Sequence, residues 1–366
     1  MYNILFVFIT ISLLFELYHR KINSNLFYVV YLFMTFLVVF RYGQGTDYFG
    51  YMYYYDNVDL SSPVYQKDTG FALLCYICNS FRISYVVFSS VFAFITMLLY
   101  FPFFKNICRK SMLPLFIFYA YVFLIFPMSG IRQGFTIAVL LGVLYPLLIR
   151  EKYLYFYIIL GLASTIHLSL LICAILPFLL KMKFRKDIYT IFFIVATIIN
   201  FLNINLYSYI PFELPLNRGI DLASAEDSAN YFGKFFRFII IIALLIIPDR
   251  FYKGNLIRIR NIVFTGYLIY SFLSFVGTVA GRIEIYFRVF EMLLLFLLLY
   301  KNVDRIIVRY AYLFLVLYTA LFFKNIDSQI KQGDYIYTTI LTYPYVSVFS
   351  PDNIYLFRKD VTIGIY

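Results

Sequence analysis

The sequence predicts an all-α, polytopic transmembrane helix bundle. Apolar types make up 63% of the 366 residues and mean hydropathy is +0.82. Charged types supply only 14%, where globular chains carry about 25%. A soluble fold would have too little polar surface to cover its core, whereas each bilayer crossing uses a run of about 20 apolar residues. The same arithmetic excludes a disordered chain. The net charge of +12 falls in short clusters between apolar runs rather than in one stripe, which argues against a nucleic-acid partner. With 38 Tyr, 44 Phe and no Trp, the interfacial aromatic belts fall to tyrosine.

Taken in order, the apolar runs predict helices over Tyr2–Tyr18, Leu26–Phe40, Tyr85–Phe104, Leu113–Pro127, Gln133–Ile149, Ile188–Ile210, Phe235–Ile247, Ile262–Ala280, Ile283–Tyr300 and Ile306–Phe323. The first lacks a basic start and a small-residue cleavage site, so it is expected to stay as a helix rather than leave as a signal peptide. A shorter piece, Phe71–Phe81, reads as an interfacial or half-buried helix. Basic residues gather in six connections, around Arg20, Lys105, Arg150, Lys183, Arg258 and Arg305, which hold 18 of the 31 Lys and Arg. The positive-inside rule places those connections in the cytoplasm and both termini outside.

One run breaks the alternation. Leu154–Leu180 has 27 residues and basic clusters on both flanks, so a single crossing would put one cluster on the wrong side. It is expected to turn back near Ser164–His167 as two short helices or a re-entrant hairpin. Each half would be about 20 Å long at ~1.5 Å per residue, against a core of about 30 Å, so the tip must be lined by protein or water. The expectation is therefore about ten full spans plus one hairpin in a single integral membrane domain covering 1–366, with extracytoplasmic segments at 41–70, 211–234 and 324–366. Cys75 and Cys78 are spaced as a metal-binding pair but lack a second pair, and read as small buried hydrophobes.

Charged side chains cost roughly 2.5–3.5 kcal/mol at a membrane-helix centre, so those that persist usually face a protein-lined cavity. Four places stand out on the outer half of the traced topology. Arg41 opens Arg41-Tyr42-Gly43-Gln44-Gly45-Thr46-Asp47-Tyr48, followed by Tyr51, Tyr53, Tyr54, Tyr55, Asp56 and Asp59. Carboxylates can accept paired sugar hydroxyls and tyrosine rings offer flat faces to sugar C–H groups; an interfacial tyrosine belt with a turn explains the same residues. Arg132 and Gln133 lie in Ser129-Gly130-Ile131-Arg132-Gln133-Gly134, where a guanidinium joins the free N–H groups of a helix start and suits phosphate. The plainer reading is a charge snorkelling to the interface. His167, in Ser164-Thr165-Ile166-His167-Leu168-Ser169, is either a hydrogen-bonded core residue or the group that takes a proton from a hydroxyl. Arg282, Glu284, Tyr286, Arg288 and Glu291 stand at the start of the expected helix Ile283–Tyr300, with the Glu-Arg-Glu series on one face as a salt-bridge stripe.

An arginine set without metal-ligand spacing, Walker loop or Gly-x-Ser-x-Gly elbow suits a substrate that brings its own diphosphate, because guanidinium forks neutralise charge growing on a departing pyrophosphate. The base would be His167, or Asp47 in second place. No metal and no cofactor are expected.

These residues carry a resemblance. Arg41 to Tyr48, Ile131-Arg132-Gln133-Gly134, His167-Leu168-Ser169, Arg282 with Tyr286-Phe287, and Tyr343-Pro344-Tyr345 resemble the ordered motifs of the EpsG family, the Wzy-type polymerases of bacterial surface polysaccharide. The resemblance implies a metal-independent glycosyltransferase of GT-C-like architecture in the plasma membrane, joining repeat units carried on undecaprenyl diphosphate at the outer face. It implies that Arg41, Arg132 and Arg282 hold diphosphate or sugar, with His167 catalytic or close to it; Tyr48, Tyr51, Gln133, Tyr286 and Arg288, beside them in sequence, are the further substrate-binding residues expected. A chain-length regulator and a flippase are the partners such an enzyme would have besides membrane lipids. Thr136 and Leu168 stand where the family often has smaller residues, which bears on packing more than chemistry. Two other readings stay open: a flippase or exporter of the same lipid-linked sugar, and a ligase to a different acceptor.

Overall fold

The computed structural model describes residues 1–61, 68–182, 186–202, 204, 231–301 and 305–358. Among them the chain is helical, joined by turns and two isolated β-bridges. Among the described residues three helices are long and apolar enough to cross a membrane, Tyr2–His19, Tyr85–Ile107 and Ile131–Ile149, and six shorter apolar helices accompany them. Among the described residues the chain is a helical membrane protein. Its described residues group into two compact units: one holds Met1–Leu171 and the chain from Tyr318, the other Ile172–Leu317.

The first unit contains α1 (Tyr2–His19), α2 (Ser24–Val39), α3 (Tyr48–Asp56), α4 (Thr69–Ser80), α5 (Tyr85–Pro102), α6 (Met112–Ile117), α7 (Ile131–Val139), α8 (Tyr145–Ile149) and α9 (Tyr153–Ser164). Asn23 and Ser84 cap α2 and α5 by accepting from the amides of Leu26 and Val87. Short π-helical stretches follow α5, α6 and α7, each adding a residue to the turn and bending the run. Helices approach closely where side chains are small: a Cβ on Gly142 would fall 1.8 Å from the Leu99 carbonyl oxygen, so glycine there permits backbone contact between α5 and the α7–α8 run. At one end of this unit the buried Glu16 accepts from the Ser111 hydroxyl at 2.5 Å and the Met112 amide at 2.7 Å. A carboxylate from α1 thus satisfies the helix start of α6 and locks the two together.

The other end is built from aromatic rings. Tyr48, Phe49, Tyr55, Phe71, Tyr85, Phe88 and Phe92 form one buried cluster, which fixes α3 and α4 against α5. The sequence predicts no helix over 48–56, inside the expected segment 41–70; the structure forms α3 there because tertiary packing supplies a buried face that apolar periodicity does not show. The extended pair Tyr42 N–H to Val346 carbonyl and Val348 N–H to Phe40 carbonyl, each 2.9 Å, seats the C-terminal segment on the Arg41–Asp47 loop. Arg358 adds a bond to the Gly43 carbonyl at 3.1 Å.

The run expected to turn near Ser164–His167 is indeed broken there: α9 ends at Ser164, and a 3₁₀ helix begins at Leu168 and leads to α10 (Leu176–Lys181).

The second unit is built from α10, α11 (Lys186–Phe201), α12 (Tyr231–Ile246), α13 (Asn255–Phe272), α14 (Gly277–Arg288) and α15 (Phe290–Lys301). The single helix expected from Ile283 to Tyr300 is two, α14 and α15, which meet at Val289 with its backbone still in the right-handed helical region. A final helix, α16 (Arg305–Gln332), continues into the first unit. The expected segment 211–234 lies mostly outside the described residues, as do 203–210 of the sixth expected helix, apart from Ile204, and the last residues of the tail.

Candidate functional site

The aromatic end of the first unit brings together residues from four parts of the chain. Arg132 sits in the first turn of α7, where the helix dipole disfavours a cation by about 0.3–1 kcal/mol. Its position is compensated by an anion and by ring faces. Arg132 Nη1 donates to Asp68 Oδ2 at 2.6 Å and Nε donates to the Tyr51 hydroxyl at 3.3 Å. The guanidinium carbon lies 5.2 Å from the Tyr51 ring centre, 5.7 Å from Tyr54 and 5.5 Å from Phe71, within cation–π range.

Asp68 is the hub. It stands at the N-cap position of α4, yet its side chain makes no cap bond to that helix. Both oxygens turn instead to the break after α9: Oδ1 accepts from the Leu168 amide at 3.1 Å, and Oδ2 faces His167 Nδ1 at 3.5 Å. The first contact satisfies the start of the 3₁₀ helix, and the second orients the imidazole. Burial works to raise the Asp68 carboxyl, but the hydrogen bond from His167, the charge of Arg132 and the Leu168 amide more than reverse this, holding it below its ordinary value. The hub is positioned by a close backbone approach. The Gly70 amide donates to the Thr165 carbonyl at 2.9 Å, and a Cβ on Gly70 would lie 2.1 Å from Thr165 Oγ1, so only glycine lets α4 reach the His167 turn.

The far side of the imidazole is unspent. His167 Nε2 is buried and meets no hydrogen-bond partner among the described residues. An oriented imidazole with a buried, unpaired nitrogen is set up to receive a proton donor that arrives with a ligand.

The other expected residues of this unit take different places. Asp47 accepts from the Thr46 hydroxyl at 3.0 Å and its amide donates to the Ser129 hydroxyl oxygen at 3.3 Å. Its Oδ2 lies 3.9 Å from where a Cβ on Gly130 would stand, beside the start of α7; among the described residues it shares no hydrogen bond with His167. Tyr48 is buried in the aromatic cluster, its ring 5.2 Å from Tyr85. Gln133 is buried. Arg41 is 2% exposed and its Nη1 donates to the Val38 carbonyl at 2.5 Å, closing the last turn of α2. Tyr343 packs on Tyr2 at 5.3 Å between ring centres.

In the second unit, Tyr286 and Arg288 are buried and Arg282 is exposed. Arg288 pairs with Glu291 at 3.4 Å across the Val289 break. Glu284 does not complete the expected Glu-Arg-Glu stripe; its Oε2 accepts from Arg237 Nε on α12 at 2.5 Å, and Arg237 also lies over the Tyr270 ring at 3.9 Å. The sequence reading did not single out Asp68 or Arg237. Asp68 carried a signal, an acid directly before Thr-Gly-Phe, but one that reads as an ordinary helix cap.

Fold and site define an integral membrane protein of helices that gathers a cation, a carboxylate and an imidazole at one end of a helical unit. The chain belongs to the EpsG family, which matches it over residues 24–347 and so spans every site residue named above. Members are Wzy-type polysaccharide polymerase-like membrane proteins, and the family implies glycosyltransferase-like polymerase activity. No curated protein and no solved structure matches the chain.

Proposed function

We propose that this protein joins undecaprenyl-diphosphate-linked oligosaccharide repeat units into polysaccharide at the outer face of the bacterial plasma membrane. The observation that supports the reading best is the meeting of Arg132 and His167 on one buried carboxylate, with His167 Nε2 left unpaired. The acceptor is a sugar hydroxyl of one lipid-linked unit, and the donor is the growing glycan on another. His167 Nε2 takes the hydroxyl proton as the oxygen bonds to the donor's anomeric carbon. The bond from that carbon to the diphosphate oxygen breaks, and its electron pair leaves with undecaprenyl diphosphate. The imidazolium then returns its proton to water. Arg132 offsets charge developing on the diphosphate, while the Tyr51 and Tyr54 rings beside it offer stacking faces to sugar.

Arg41, Gln133 and Tyr48 belong to the same reading as residues that shape the substrate loop and the α7 start, and Arg282, Tyr286 and Arg288 as substrate-binding residues of the second unit. The remaining parts of the proposal are a GT-C-like bundle of about ten spans, a tail that covers the Arg41–Asp47 loop, independence from metal, and work alongside a flippase and a chain-length regulator. The test is to incubate purified protein with a lipid-diphosphate oligosaccharide and resolve the products on a gel. A ladder that disappears with His167→Ala in a folded protein is the expected result. Unchanged substrate that crosses vesicle membranes would replace the polymerase with a flippase, and full activity of the variant would remove His167 as base.

A further inference from the structure

We infer that Asp68 is the positioning residue of this site: it fixes which nitrogen of His167 carries the proton, using the same oxygen that it lends to Arg132. The inference rests on the reading of His167 as the base.

Asp68 is an N-cap residue whose side chain does not cap. Asp68 leaves the amides of its own helix unbonded by its side chain and turns both oxygens across to Leu168 and His167. An ionised carboxylate only accepts, so the nitrogen facing it is the one that holds hydrogen. That nitrogen is Nδ1, which leaves the lone pair on Nε2, the atom buried without a partner among the described residues. The tautomer that a base needs at Nε2 is therefore set from behind by Asp68.

Oδ2 is also shared. Arg132 Nη1 lies 2.6 Å from it and His167 Nδ1 3.5 Å, so the guanidinium has the tighter hold and the imidazole contact sits at the far limit of a hydrogen bond. A diphosphate that draws Arg132 towards itself frees Oδ2 to close on Nδ1. The carboxylate then supports the imidazolium that forms when Nε2 takes a proton. Substrate binding and positioning of the base are coupled through one oxygen atom.

The chain has two histidines, and His19 is exposed beside a basic turn, so His19→Gln leaves His167 as the single imidazole. Nitrogen NMR of the purified, ¹⁵N-histidine-labelled His19→Gln protein reads both ring nitrogens. We expect a protonated Nδ1 and a bare Nε2, and, on addition of undecaprenyl diphosphate as the probe, a downfield move of the Nδ1 proton. Asp68→Asn, whose amide can donate, should shift the proton to Nε2 and slow polymerisation by about 10²–10⁴-fold. Asp68→Glu should restore the Nδ1–H form and part of the rate. A proton on Nε2 in the protein with Asp68 intact overturns the inference whether or not the variants fold. An Nδ1 proton unmoved by the probe overturns the coupling through Arg132. If the Nδ1–H form depends on Asp68 but His167→Ala still polymerises, the positioning stands and the base assignment fails.

Discussion

Gly70→Ala tests how the centre is assembled. Gly70 lies two positions after Asp68 and Thr165 two positions before His167, so their contact sets the spacing of the carboxylate and the imidazole. A Cβ on Gly70 would stand 2.8 Å from Thr165 Cβ and 3.1 Å from its carbonyl carbon, where ordinary contact begins at 3.4 Å. Rotating the Thr165 hydroxyl away relieves the 2.1 Å clash with Oγ1 but neither of these. The Thr165 turn must recede by about 0.6 Å, the gap between 2.8 and 3.4 Å. Overpacking of this kind costs about 1–3 kcal/mol. The Asp68–His167 contact, already 3.5 Å, would open past hydrogen-bonding reach. Misplacement approaching 1 Å at a reacting group costs up to ~10²-fold in rate. The assay pairs glycan chain formation with thermal unfolding in detergent. Gly70→Ala should lower both, and Thr165→Gly in the same protein should recover part of each. A Gly70→Ala protein with wild-type rate and wild-type melting would refute the assembly described here.

Arg132→Lys keeps the charge but cannot bond Asp68 and Tyr51 together or lie flat against three rings; it should cut the rate about 10–100-fold and weaken lipid-diphosphate binding, measured by titrating substrate. Because the Asp68 carboxyl is held below its ordinary value, its stabilising contribution is complete above the unfolded value near ~3.9 and is lost only as pH falls through the folded value. Wild type and Asp68→Asn should thus differ in melting temperature at pH 5 and converge only in stronger acid, checked by unfolding scans from pH 5 downward. Arg358 donates to the Gly43 carbonyl and packs over Phe49 and Tyr335; Arg358→Ala should cost about 1.5–3 kcal/mol and make the segment after Tyr343 more sensitive to protease, read by limited digestion.

Much of the helical framework was legible because apolar runs report helices in a membrane directly. Tyr2–His19, Tyr85–Ile107 and Ile131–Ile149 fall on expected runs, and the odd charge pattern around Leu154–Leu180 located the break at His167. Boundaries set by packing were not legible. The α3 helix owes its form to Tyr48, Phe49 and Tyr55 entering one aromatic cluster, which no local period encodes. The α14–α15 break at Val289 likewise separates Glu291 from the helix that carries Glu284 and Arg288.

The site was half legible. Arg132 and His167 could be singled out because a membrane segment tolerates such residues only for a reason, and the structure joins them. Asp68 escaped notice because a lone acid in a loop before a helix has an ordinary explanation, and only the third dimension shows that its carboxylate faces elsewhere. Glu284 was assigned the wrong partner for a related reason: spacing along one helix reveals neighbours on that helix, while Arg237 approaches from α12.

In the proposed reaction a glycosyl bond is made at the expense of a lipid-diphosphate bond. Counting undecaprenyl diphosphate released against glycosidic bonds formed, with purified protein and a chelator present, tests it most directly. One diphosphate lipid released per bond, and neither product with His167→Ala, is the expected result. Glycan that lengthens without release, or lipid-linked sugar that changes membrane leaflet with its diphosphate bond intact, would contradict it.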